Sequence, residues 1–123
     1  MYIKNYRDLL VWQKAMDLVI EVYRLTNLLP REENYNLSIQ MRRAAVSIPS
    51  NIAEGQQRKS TKEFINFISI AKGSNAELQT QLFICIRLKY FTEEQINCAF
   101  ALSEEISKML TKLTTNLSTN SDH

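Results

Sequence analysis

The chain carries few residues suited to acid–base or metal chemistry. Its single histidine, His123, is the last of 123 residues. A fixed imidazole in a packed site is therefore nearly excluded, and with it histidine catalysis and most zinc sites. Di-iron bundles need Glu-x-x-His pairs on facing helices, which this sequence cannot supply. Helical ribonuclease domains with an internal Arg and His motif fall by the same absence. Ser47, Ser50 and Ser60 lack a base partner. The two cysteines, Cys85 and Cys98, show no CxxC spacing, so neither a zinc cage nor a thioredoxin-like motif is available. Two readings remain for them: reduced, half-buried helix residues, or a disulfide between neighbouring helices. The expectation is a protein that is not an enzyme and has no metal or cofactor.

Charge is the other chemical resource. Residues 42–72 hold Arg42, Arg43, Arg58, Lys59, Lys62 and Lys72 against Glu54 and Glu63. Residues 92–123 hold Lys108 and Lys112 against Glu93, Glu94, Glu104, Glu105 and Asp122. One side is basic and another acidic. The basic side is either a footprint for phosphate backbones or a solvated surface. Base-readout motifs and interleaved aromatic and basic residues are lacking, so any nucleic-acid binding is expected to be mostly sequence-independent. Arg58 and Lys59 are expected to be the best exposed. Arg43, Ser47, Ser50 and Glu54 form a polar row at helical spacing. If the flanking helices fold back near residues 59–60, Glu77 lies opposite Arg42 and Arg43, and a structural ion pair is expected there.

The elements that must position these residues are long helices. Gly and Pro number 2 each, far below ordinary usage, and a chain so poor in turn residues cannot make many tight turns. That excludes a β-sandwich, a barrel or a glycine-loop nucleotide fold. Helix one is expected from about Arg7 to Leu29, before Pro30. Lys14, Asp17, Glu21 and Arg24 make one polar stripe. Leu9, Trp12, Met16, Val19, Ile20 and Tyr23 form one apolar row, and Ala15, Leu18, Val22 and Leu25 a second. This arc is wider than the single face of an ordinary surface helix. It fits a helix packed between two neighbours of its own bundle, or one whose outer edge meets another copy. Trp12 and Tyr23 are read as core or interface aromatics rather than a ligand platform.

Asn36 can take a left-handed conformation at little cost. Helix two follows, from Tyr35 or Leu37 to about Lys59. Its core face is Leu37, Met41, Ala44, Ala45, Ile48 and Ile52. Pro49 inside it removes the hydrogen bond to the Ala45 carbonyl. Small residues around Pro49, notably Ala44, Ala45 and Ala53, would let another helix come close. Ser60-Thr61-Lys62-Glu63 and Thr92-Glu93-Glu94-Gln95 read as capping boxes opening helices three and four. Helix three runs to about Tyr90. Gly73 sits within it at a cost of about 1 kcal/mol relative to Ala, which predicts a close backbone contact. Helix four runs to about Leu117, and 118–123 is a polar tail. Four long helices with short connections predict an all-α, antiparallel up-down-up-down bundle over 1–117. Met1–Leu10 has no signal-peptide pattern, and no apolar run approaches the roughly 18 residues of a membrane span. The expected location is the cytoplasm, with no membrane partner.

Residues Arg42–Gly55, RRAAVSIPSNIAEG, with Leu9–Leu18, LLVWQKAMDL, and Ala71–Leu78, AKGSNAEL, resemble a known family. They are similar to the four-helix-bundle proteins encoded in intervening sequences of bacterial large-subunit ribosomal RNA genes. The likeness runs from about Tyr6 to Tyr90. Asn36 and Gln57 stand where that family's pattern favours glycine; the first is a tolerable exchange at a left-handed position, and the second leaves open the shape of the turn between helices two and three. The resemblance implies a barrel-shaped homopentamer. It also implies kinship with the accessory variability determinant of diversity-generating retroelements, which binds nucleic acid and associates with a reverse transcriptase. For this chain that makes RNA or DNA expected partners besides itself, and a reverse transcriptase too if one is encoded beside it. The expected interface residues are Trp12, Ala44, Ala45, Pro49 and Ala53. The leading functional expectation is a non-enzymatic oligomeric scaffold that binds structured RNA through its basic surface. The alternative is a protein–protein assembly module that binds no nucleic acid.

Overall fold

The architecture follows from where apolar side chains recur and where the backbone finds caps. In a computed structural model describing residues 5–120, α1 spans Leu10–Thr26, α2 Leu37–Gln56, α3 Thr61–Arg87 and α4 Glu93–Asn120. Single 3-10 turns, Tyr6–Asp8 and Arg31–Glu33, precede α1 and α2. Each helix packs against the next, and α1 closes the bundle against α4, so α1 and α3 occupy diagonal corners. The core is built from one apolar face of each helix. Leu18, Leu25, Met41, Ile48, Ile52, Ile68, Leu78, Leu82, Ile106 and Leu110 are fully buried. Burial of such side chains is worth roughly 1.5–3 kcal/mol each, the main force holding the bundle closed. No described helix is long and apolar enough to cross a membrane.

The second capping box forms in full and the first by its cap bond alone. The Glu63 amide donates to Ser60 Oγ at 3.1 Å. In the second box Gln95 N donates to Thr92 Oγ1 at 3.2 Å, and Thr92 N donates back to Gln95 Oε1 at 2.9 Å. Each bond satisfies an otherwise orphaned amide at a helix start.

Several boundaries differ from the sequence reading for local reasons. α1 begins at Leu10 because Asn5 captures the Arg7 amide at 2.8 Å and Leu9 is extended (ψ 123°). α2 ends at Gln56, with Gln57 in ordinary right-handed geometry (φ −81°), so that turn needs no glycine. Asn36 is not left-handed (φ −134°). Among the described residues, the positive φ falls at Lys89 (φ 64°), in the turn after α3. α4 continues to Asn120, past Leu117. His123 lies outside the described residues.

The close backbone contact expected at Gly73 is found at the other glycine. Gly55 is buried, and a Cβ there would stand 2.6 Å from Phe67 Cβ. The close approach of α2 to α3 therefore occurs at Gly55. Gly73 is exposed, and an added Cβ would meet nothing within 4 Å, so the close contact predicted for it does not exist within the chain.

One polar pair is buried in the core. Asn75 Nδ2 donates to the Ser103 carbonyl at 2.9 Å, and Ser103 Oγ donates to Asn75 Oδ1 at 2.6 Å. A buried polar pair that bonds mutually fixes the register of α3 on α4, since a slip would strand both groups.

Gly55→Ala should lower unfolding stability by about 1–3 kcal/mol, because backbone and an aromatic stem, not a flexible tip, occupy the space. Urea denaturation monitored by circular dichroism measures it. An unchanged midpoint would show that the helices separate there at no cost.

Candidate nucleic-acid interface

The six basic candidates do not form one patch. Arg58, Lys59 and Lys62 cluster at the turn joining α2 to α3, all three exposed. Arg58 is partly engaged: Nη2 pairs with Glu54 Oε1 at 3.0 Å, and its guanidinium lies 4.9 Å from the Phe67 ring centroid. Lys59 and Lys62 form no ion pair among the described residues, so their charges face solvent. Lys72 is half-buried, ten residues up α3 from Lys62, or about 15 Å along the axis. Sequence proximity alone had joined it to the cluster.

Arg42 and Arg43 stand in the other half of the bundle. Arg42 turns toward the end of α1. Its Nε donates to Thr26 Oγ1 and its Nη2 to Asn27 Oδ1, both at 2.8 Å. Its guanidinium sits 4.5 Å over the Tyr23 ring, an attraction worth roughly 0.5–1 kcal/mol at a partly exposed site. The ion pair of Arg42 and Arg43 with Glu77 is not formed within the chain. Arg42 is held by α1 instead, Arg43 is exposed, and the exposed Glu77 accepts from Gln81 Nε2 at 3.4 Å. The two arginines line a hollow of about 460 Å³ with Tyr23, Ile39, Val46 and Ser47. Below it, Ser47 and Ser74 hydroxyls bond at 2.8 Å, and Asn51 Nδ2 donates to Ser47 Oγ at 2.8 Å. These serines are spent on the α2–α3 seam.

The interface candidates are also redistributed. Ala44, Ala45 and Pro49 are buried in the chain's own core, out of reach of a second copy. Ala53 is half-buried. Trp12 is half-buried, with its ring edge-on to Tyr6 at 5.4 Å. The exposed apolar side chains lie elsewhere. On α1 they are Leu10 (55%), Met16 (40%), Ile20 (69%) and Tyr23 (40%), and on α3 they include Ile70, Phe83 and Ile84. Sequence periodicity marked the α1 row. It could not mark the α3 residues, because they interrupt a helix whose opposite side is equally apolar.

A second hollow, about 450 Å³, lies between the end of α3 and the start of α4, lined by Phe83, Ile86, Arg87, Glu93, Ile96, Asn97 and Phe100. Its floor is aromatic, with the Phe83 and Phe100 rings 5.3 Å apart.

The cysteines are both free. Cys98 is exposed. Cys85 is buried, with Sγ 3.7 Å from Met41 Sδ, and burial pushes its thiol up to about 11. Just beyond that end of α3, the Tyr90 hydroxyl donates to Glu33 Oε2 at 2.7 Å, and that bond raises the Tyr90 pKa.

These features define an all-helical antiparallel bundle whose polar groups bind one another and whose free chemistry is surface charge and exposed apolar faces. Residues 7–112 match the 23S rRNA-intervening sequence protein family, and the chain belongs to that family. A solved structure from Bacteroides thetaiotaomicron VPI-5482, described as a protein with unknown function from the S23 ribosomal protein family, superposes with a TM-score of 0.80. It is 30% identical, over 85% of this chain and 98% of that one. A search of curated proteins finds no significant match.

Thiol labelling at pH 8 should modify Cys98 readily and Cys85 only after unfolding, because the reactive thiolate is scarce and shielded at Cys85. Fast stoichiometric labelling of both thiols in the native protein would contradict the packing around Met41.

Proposed function

We propose that this protein is a non-enzymatic, homo-oligomeric scaffold that binds structured RNA through the basic turn between α2 and α3. The observation that carries the reading is the exposure of Arg58, Lys59 and Lys62 together at one end of the bundle, two of them without ion-pair partners among the described residues. Three charges on one monomer hold phosphates weakly. Copies arranged around an axis repeat the cluster and raise the effective concentration of each further contact. The exposed apolar rows of α1 and α3 give such copies a reason to associate. The family resemblance supports five of them, and its retroelement kinship supports a reverse transcriptase as partner where one is encoded alongside. Arg42, Arg43 and Lys72 stand apart from the turn and contribute less to the RNA surface.

The phosphate contacts make affinity a function of salt. Each single-strand phosphate neutralised contributes a log–log slope of about −0.7. Replacing Arg58, Lys59 and Lys62 together with Ala should weaken binding to many RNA sequences alike and flatten that slope, with helicity and assembly unchanged. Titration of labelled structured RNA at several salt concentrations measures both quantities.

Light scattering after size exclusion should give about five times the 14.3 kDa chain mass. A monomer at micromolar concentration contradicts the oligomer.

The second reading, a protein-binding assembly module, draws on the aromatic hollow at Phe83 and Phe100. It is the reading left standing if the intact oligomer binds no RNA at low salt.

A further inference from the structure

Two arginines line the hollow between α1 and α2, and neither meets a carboxylate there. Arg42 and Arg43 form no ion pair among the described residues. The other lining residues, Tyr23, Ile39, Val46 and Ser47, bring no negative charge. Glu21, on the same helix as Tyr23, is bonded to Arg24, and Glu77 accepts from Gln81. Two positive charges therefore share one concave surface with nothing of opposite sign on its walls.

Arg42 is also fixed in place. Its Nε and Nη2 donate to Thr26 Oγ1 and Asn27 Oδ1, both at 2.8 Å. Thr26 is only 2% exposed and donates in turn to the Tyr23 carbonyl at 3.1 Å. The Tyr23 ring supports one face of the guanidinium. These partners are neutral, so they orient the cation without cancelling its charge. A side chain already held in one geometry loses little freedom when it meets an anion. Arg42 keeps the N–H donors of Nη1 and one of Nη2, and exposed Arg43 keeps its whole fork.

The charge and the walls together select a ligand. One carboxylate would neutralise only one of the two arginines. A phosphate monoester carries about −1.5 to −2 at pH 7 and offers three acceptor oxygens. Guanidinium forks take such oxygens in pairs. The hollow, about 460 Å³, has room for far more than a phosphate group, which displaces only a few waters of about 30 Å³ each. Ile39 and Val46 supply apolar walls, and the free face of the Arg42 guanidinium can stack on a flat ring.

We propose that this hollow binds a small phosphate monoester carried on a flat aromatic group, with the phosphate between Arg42 and Arg43 and the ring against Ile39 and Val46. The site is separate from the basic turn, since Arg43 precedes Arg58 by fifteen residues, or about 22 Å of helix. It holds whether or not the turn binds RNA.

Calorimetric titration of the full chain at low salt tests it with two sources of that chemistry, adenosine 5′-monophosphate and O-phosphotyrosine. At least one should bind once per chain, about tenfold or more tighter than inorganic phosphate and than its own dephosphorylated form. The tighter of the two tells a nucleotide site from a phosphotyrosine site. Arg43 makes no bond within the chain, so Arg43→Gln should keep the wild-type circular dichroism and lose about tenfold in affinity. Val46→Glu, which sets a negative charge on the wall, should lose at least as much. Lys108→Gln removes the same charge from an exposed position on α4 and should bind as wild type does. If neither monoester binds wild type more tightly than inorganic phosphate, the hollow is not such a site. If Arg43→Gln binds as tightly as wild type, or loses no more than Lys108→Gln, the anion is held elsewhere and the proposal falls.

Discussion

The close contact of α2 with α3 is the constraint from which the rest of the bundle follows. At Gly55 the α2 backbone comes so near Phe64 and Phe67 that no side chain fits. The turn that follows is only four residues, Gln57–Ser60, and its last residue already caps α3. Once that hairpin is clamped, the apolar stripes of α2 and α3 make a continuous groove. α1 and α4 then complete the core, with Asn75 and Ser103 setting the height of α4. The same clamp leaves Arg58, Lys59 and Lys62 nowhere to point but outward. The basic turn is thus a consequence of helix packing rather than a separate feature laid over it.

The fold was legible because its signals are local and redundant. Capping boxes at Ser60 and Thr92, apolar spacing along every helix and scarce turn residues all point to the same four elements. The candidate site was less legible, because its residues depend on which neighbour a long side chain chooses. Arg42 could reach across to Glu77 or back to Thr26 and Asn27, and spacing along one helix does not distinguish them. The Tyr23 ring and two neutral oxygens hold it on α1. Glycine posed the same difficulty. Sequence identifies a helical glycine as costly, but only packing tells that the demand is met at Gly55 and unmet at Gly73. The alanines beside Pro49 illustrate a third limit, since small residues mark a close approach without saying whether the approaching helix is the chain's own.

The connection between α1 and α2 looks like a loose polar loop in composition but is tied down along its length. Arg42 holds its first residues at Thr26 and Asn27. Glu33 accepts the Tyr90 hydroxyl from the neighbouring turn and lies 3.4 Å from the Leu37 amide at the start of α2. Two connections at that end of the bundle are thereby bonded to each other. The turn at the other end is bonded within itself and to its own two helices, with Arg58 folded back on Glu54 and Phe67 and Ser60 capping α3. Unmixed basic charge and tethered connections lie at opposite ends of the molecule, the tethered end mixing Arg31, Arg87 and Lys89 with Glu32, Glu93 and Glu94.

That separation gives the bundle a polarity. With helices running up, down, up and down, Asn5 at the start of the described chain and the last turn of α4 both lie at the end that carries Gln57–Ser60. A peptide joined at either end of the described segment, whether an affinity tag or a fused domain, starts from the same end of the bundle as the basic turn. In an assembly that keeps its copies level, every such turn and every terminus crowds onto one rim. The opposite rim carries the tethered connections and the aromatic hollow at Phe83 and Phe100, and presents a different surface. A particle of this kind has two unlike faces, and it can be immobilised by one of them without blocking the other.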